Sequence, residues 1–206
     1  MDRRELLKMI AVVTGGAVIG SEFFLSGCTA GGKADVGFTP GNIALLDEVG
    51  ETILPATSSP GAKAAQVGEF MKVFVTDCYP QESQDAFIKG INELDDACKK
   101  MHSKSFMDCT PEQRRDLLLS LEKEAKDFNK VQEEKDKPRR EELKKQDKEY
   151  DFVPSPRHYY TMMKQLTLLG FFTSKPGATQ ALRHEAVPGR YDGALPYKKG
   201  DKAWAE

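Results

Sequence analysis

Apolar residues recur at three- and four-residue spacing through most of the chain, and this periodicity restricts its fold more than any other feature. Ile43, Leu46, Val49 and Ile53 form one stripe, opened by Thr39-Pro40, a cap residue before a proline at the first helical position, and stopped at Pro55. Val67, Phe70, Met71, Phe74, Val75 and Cys78 form a second between the loop Ser58-Ser59-Pro60-Gly61 and Tyr79-Pro80. Phe87, Ile88, Ile91, Leu94, Ala97 and Met101 mark a third. Thr110-Pro111-Glu112-Gln113 is a capping box that opens a fourth, with Leu117, Leu118, Leu121, Ala125 and Phe128 on its apolar face. A last helix around His158 to Gly170 carries Tyr159, Met162, Met163, Leu166 and Leu169. The chain shows no sustained period-two alternation and no internal repeat. The predicted class is therefore all-α, a compact multi-helix domain followed by an irregular tail in which Gly and Pro recur through Trp204.

From Lys130 to Lys148 nearly every residue is charged or amide-bearing, so this stretch cannot bury a face of useful area, and Pro138 is expected to interrupt any helix there. The reading is a solvated extension, a charge-laced surface helix or hairpin in preference to a dedicated docking arm.

The N-terminus is an address, not a folded element. A short charged segment, Asp2 to Lys8, leads into the apolar stretch Met9 to Gly20, the layout of an export signal. Arg3-Arg4 followed by Leu6-Leu7-Lys8 resembles the twin-arginine consensus, with Asp2 where Ser or Thr is usual and Leu6 where Phe is usual. The alternative is two arginines in a general secretory signal. Leu25-Ser26-Gly27-Cys28 matches a lipobox, in which small residues admit a lipoprotein peptidase and the cysteine thiol takes a diacylglyceryl group. The expected organisation is a signal peptide over residues 1–27, a Gly-rich flexible tether over 28–38 and a helical domain over 39–206. Acylated Cys28 would hold the mature chain on the periplasmic side of a bacterial cell envelope.

Composition removes one class of partner. Thirty Lys plus Arg against 32 Asp plus Glu leave a net charge of -2, which offers no electrostatic footprint for nucleic acid. Cofactor motifs are missing as well. Gly15-Gly16 sits in the signal and not in a strand-to-helix turn, so no dinucleotide site is visible. Cys28, Cys78, Cys98 and Cys109 have no second cysteine within three residues, which excludes a c-type haem motif and the usual iron–sulfur and zinc spacings. His102, His158 and His184 are scattered and read as surface or interface residues; Met162-Met163 reads as core, not as a soft-metal site. The adjacent pairs Asp95-Asp96 and Glu133-Glu134 point apart on a helix and read as solvated charges, leaving no candidate catalytic, cofactor-binding or metal residues in the chain.

With Cys28 acylated, three thiols face an oxidising compartment. If the second and third helices turn at Tyr79-Pro80, Cys98 lies about 16 residues up the next helix and about 24 Å from Cys78, beyond disulfide reach. Cys98 with Cys109 is the more feasible pair. Cys78 is left free, buried or bonded to a partner chain.

Two segments, Leu45-Leu46-Asp47-Glu48-Val49-Gly50-Glu51-Thr52-Ile53-Leu54-Pro55 and Lys164-Gln165-Leu166-Thr167-Leu168-Leu169-Gly170-Phe171-Phe172-Thr173-Ser174, resemble the gluconate 2-dehydrogenase subunit 3 family. Val187-Pro188-Gly189-Arg190-Tyr191-Asp192-Gly193 extends the resemblance, and Ala194 stands where the family pattern often has a cysteine. The resemblance implies a small, non-catalytic subunit of a membrane-bound sugar or sugar-acid dehydrogenase of the gluconate 2-dehydrogenase or glucoside 3-dehydrogenase type. Its large subunit would be a flavoprotein of the glucose-methanol-choline type carrying FAD, often working with a cytochrome c. On this reading the helical face and the tail from Phe171 to Trp204 dock the partner. The reading from a different class is a stand-alone periplasmic lipoprotein with a binding or scaffolding role.

Overall fold

Residues 159–173, YYTMMKQLTLLGFFT, carry apolar side chains on nearly every face, and a helix of that composition has to be surrounded. The computed structural model, which describes residues 37–187, 189 and 193–205, places it in the middle of the fold. Its neighbours are α1 (Pro40–Ile53), α2 (Val67–Cys78), α3 (Gln81–His102) and α4 (Pro111–Lys145); the central helix itself is α5 (Tyr159–Thr173). α5 touches all four others. Among the described residues there is no strand, only an isolated bridge between Arg183 and Trp204, so the fold is all-α as expected. Arg3, Arg4 and Cys28 lie outside the described residues.

Helix ends follow local chemistry. The Thr39 side chain accepts from Asn42 N at α1, and Thr110 and Gln113 form both halves of the capping box at α4. The predicted stripes supply the core: Leu46, Val49, Met71, Val75, Phe87, Leu94, Leu117, Met163 and Leu166 are all buried. Met162 and Met163 are both core residues.

The structure corrects five expectations, four of them in the fold. α4 runs unbroken through Pro138 to Lys145, because Glu134, whose carbonyl loses the proline's missing N–H, lies on an exposed stretch where water can replace it. No residue of that stretch is buried, so the extension is solvated as predicted. Phe38, assigned to the tether, is buried with its ring 6.1 Å from that of Phe87. α5 continues past Gly170 to Thr173 and a π-turn follows at Gly177–Ala181, so the first part of the tail is ordered helix. The fourth correction concerns His158, which is buried and not on the surface. Its ring Nδ1 caps α5 by accepting from Tyr160 N at 3.2 Å.

The charged extension is one side of a hairpin. After a 3₁₀ turn at Glu149–Asp151 the chain returns along α4, where Asp136 accepts from Ser155 N and Oγ, each at 2.7 Å. Arg139 and Arg140 stack over the Phe152 ring, and Asn129 accepts from His158 N at 2.9 Å while donating to Thr161 Oγ1. The hairpin therefore delivers the chain to the start of α5 in a defined register.

Candidate functional site

The acidic residues of the first motif all lie against the connection between α1 and α2. Asp47 Oδ1 accepts from Gly68 N at 2.8 Å, standing in for the cap that Gln66, with no capping side-chain bond, does not supply. Glu51 accepts from Ala56 N at 2.8 Å and from Lys63 N at 2.9 Å. Glu48 accepts from Lys63 Nζ and from Arg114 Nη1, the latter at 2.6 Å. Arg114 also donates to the carbonyls of Phe106 and Met107 and lies over the Phe106 ring, so one guanidinium ties α4, α1 and the α3–α4 corner together. Gly50 is required by contact: a Cβ there would come within 2.5 Å of Val67 Cγ2.

This placement sets the titration of the cluster. The Lys63 hydrogen bond, helped by Arg114, holds Glu48 below its ordinary carboxylate value, whereas burial raises Asp47 against the opposing bond from Gly68. Every one of these carboxylates is engaged in holding the scaffold. Asp95, read as a solvated charge, is likewise structural: it accepts from Phe106 N at 2.9 Å and pairs with Lys99. Among the described residues no group of three His, Cys, Asp or Glu is placed to hold a metal ion.

The three described cysteines separate into two environments. Cys98 on α3 and Cys109 just before α4 are buried with sulfurs 3.2 Å apart, while Cys78 is exposed at the end of α2. His102 is half-buried at the end of α3 and His184 is exposed. His158 sits under the Phe128 ring and beside Tyr159, with Glu124 3.8 Å from Nε2; burial depresses its pKa below the ordinary 6.5.

The second motif is two-sided. Met163, Leu166, Thr167, Gly170 and Phe171 face the core, and Gly170 is pressed so closely by Phe70 that a Cβ would meet its ring at 2.6 Å. On the opposite side Leu168, Leu169 and Phe172 are 36%, 42% and 39% exposed. Their spacing puts them on one stripe of α5. One turn along α2 from Phe70, Val73 is 57% exposed. A shallow groove of about 260 Å³ between α4 and α5 ends at Leu168, with Glu122 and Lys164 bridging it at 2.7 Å. An apolar centre beside a charged rim is the anatomy of a protein interface. Sequence periodicity missed this face, because a helix that is apolar all round does not reveal which side stays uncovered.

The tail beyond α5 is closed on itself. Arg183 N donates to Ala203 O, Ala205 N donates to Arg183 O, and the Arg183 guanidinium lies 4.0 Å from the centre of the Trp204 ring. Val187, Leu195 and Tyr197 lie exposed on the loop between these ties.

Fold and surface thus describe a small helical domain in which Asp47, Glu48, Glu51, Asp95 and Arg114 hold the architecture and one apolar stripe of α5 is left uncovered. The family model for gluconate 2-dehydrogenase subunit 3 matches residues 40–189, well over half of the 206 residues, and the chain belongs to that family. The family name describes a subunit of a multi-subunit dehydrogenase. No curated protein and no solved structure matches the chain. Among the described residues no helix is long and apolar enough to cross a membrane.

Proposed function

We propose that the chain is the non-catalytic small subunit of a membrane-bound, FAD-dependent sugar or sugar-acid dehydrogenase. It assists the folding of the flavoprotein subunit, carries it through twin-arginine export and fixes it to the envelope. The observation that carries the reading is the Leu168–Leu169–Phe172 stripe, an uncovered apolar face inside a family motif whose other face completes the core. FAD would belong to the large subunit, of the glucose-methanol-choline type, and a cytochrome c would accept its electrons. Arg3 and Arg4 would direct export of the folded pair, and acylated Cys28 would anchor it on the periplasmic side.

A folded-protein route suits this division of labour. A flavoprotein has to bind FAD before it leaves the cytoplasm, and a small subunit bound to it can supply the signal for both. The test is purification of the protein from native membranes. A large partner with flavin absorbance should co-purify, be lost when Leu168, Leu169 and Phe172 are changed together to Gln, and stay in the cytoplasm when Arg3-Arg4 becomes Lys-Lys. Recovery of the wild-type protein alone and without flavin would sink the reading.

A further inference from the structure

Cys98 and Cys109 bracket the corner between α3 and α4, where three contacts converge on one buried residue. Phe106 is fully buried, its N–H donates to Asp95, its carbonyl accepts from Arg114, and its ring lies beneath the Arg114 guanidinium. These contacts hold Cys109 against Cys98 with the sulfurs 3.2 Å apart and no bond between them. An approach of about 1 Å would bring them to covalent distance.

We propose that Cys98 and Cys109 are a disulfide site that closes after the domain has folded, by exchange with a disulfide donor, and braces the α3–α4 corner. The chemistry balances in two steps. The Cys109 thiolate attacks the donor disulfide and displaces one donor thiol. The Cys98 thiolate then attacks the Cys109 sulfur of the mixed disulfide and displaces the second, so the protein loses two hydrogens and the donor is reduced to two thiols.

The order follows from exposure, since Cys109 retains 6% of its surface and Cys98 none. Burial pushes the Cys98 thiol up, so it resolves slowly and the rate should rise with pH. Cys78 has no place in this link: it is exposed, at the far end of α2. In cells the reaction needs the oxidising side of the membrane and so rests on the export proposed above, whereas the site itself is testable without it.

The experiment treats the full-length chain, folded and reduced, with oxidised glutathione, then alkylates under denaturing conditions and maps the peptides by mass. The expected product is one intrachain link joining the peptides of Cys98 and Cys109, with Cys78 recovered as its glutathione adduct, which proves that the donor was active, and with Cys28, where it carries no lipid, recovered as an adduct likewise. Cys98 and Cys109 recovered unlinked beside modified Cys78, or a link that includes Cys78, overturns the proposal. A second readout compares denaturant midpoints: the linked wild type should exceed its reduced form, and the difference should vanish in C98S/C109S. Equal midpoints for linked and reduced wild type would refute the bracing role.

Discussion

The two family motifs share a composition of apolar residues, glycine and threonine, yet the structure uses them in opposite ways. In α1 the motif turns its acids onto its own neighbours: Asp47 caps α2, Glu51 holds the loop at Ala56 and Lys63, and Glu48 engages Arg114. In α5 the motif is packed on one side and leaves Leu168, Leu169 and Phe172 uncovered on the other. The first motif builds the domain; the second both completes the core and presents a surface. On the proposed function these residues answer to two different requirements, stability and association, and substitutions should separate them.

The largest stability effect is expected from the scaffold. Leu46 is fully buried, and Leu46→Ala should lower unfolding stability by about 2–5 kcal/mol through lost transfer energy and the cavity left behind. Denaturant titration measures it, and the folded fraction should still bind the partner. Arg114→Ala should follow, at about 2–3 kcal/mol, because it leaves two carbonyls and the half-buried Glu48 without their shared donor. Arg114→Lys should recover little of this, since an ammonium cannot fork to three acceptors around one corner. If either change abolished partner binding while the protein remained folded, the division between the motifs would be wrong.

The exposed stripe should behave the other way round. Changing Leu168, Leu169 and Phe172 to Gln should cost about 0.5 kcal/mol at each site yet weaken co-purification of the flavoprotein by at least about tenfold. A severe loss of stability with binding intact would show that the stripe belongs to the core. The smallest effect concerns pH. Burial lowers the pKa of His158 below its unfolded value near 6.5, so in the window between the two the unfolded chain binds more protons. Its contribution to stability is complete above pH 6.5 and declines as pH falls toward the folded pKa. The carboxylates facing the ring, Glu124 and Glu93, oppose the shift. His158→Gln should flatten the slope of stability against pH in that window.

Element positions were legible in the sequence wherever the signal is local. Thr39-Pro40, Pro55 and the Thr110–Gln113 box mark ends that the structure keeps, because capping is settled within a few residues. Pro138 shows where local reasoning overreaches: a helix can run on through a proline where the freed carbonyl can turn to water, and here the surrounding stretch is exposed. His158 failed for the opposite reason. An isolated histidine carries no signal of burial, and only the packing of Phe128 and the approach of Asn129 make it an internal cap. A partner-docking surface was expected on the helical face and the tail from Phe171 to Trp204, and the sequence did not show that Arg183 and Trp204 are tied together within that tail.

By itself the sequence determined an all-helical chain, the helix ends marked by local caps and the family to which it belongs, since periodicity, caps and motif residues are properties of short segments. Tertiary structure alone decided that Glu48 meets Arg114 across 66 residues of chain, that His158 is buried as the cap of α5, and that α5 keeps one apolar side open. These depend on which distant surfaces are brought together, and helical periodicity constrains the face of each element without naming the face it packs against.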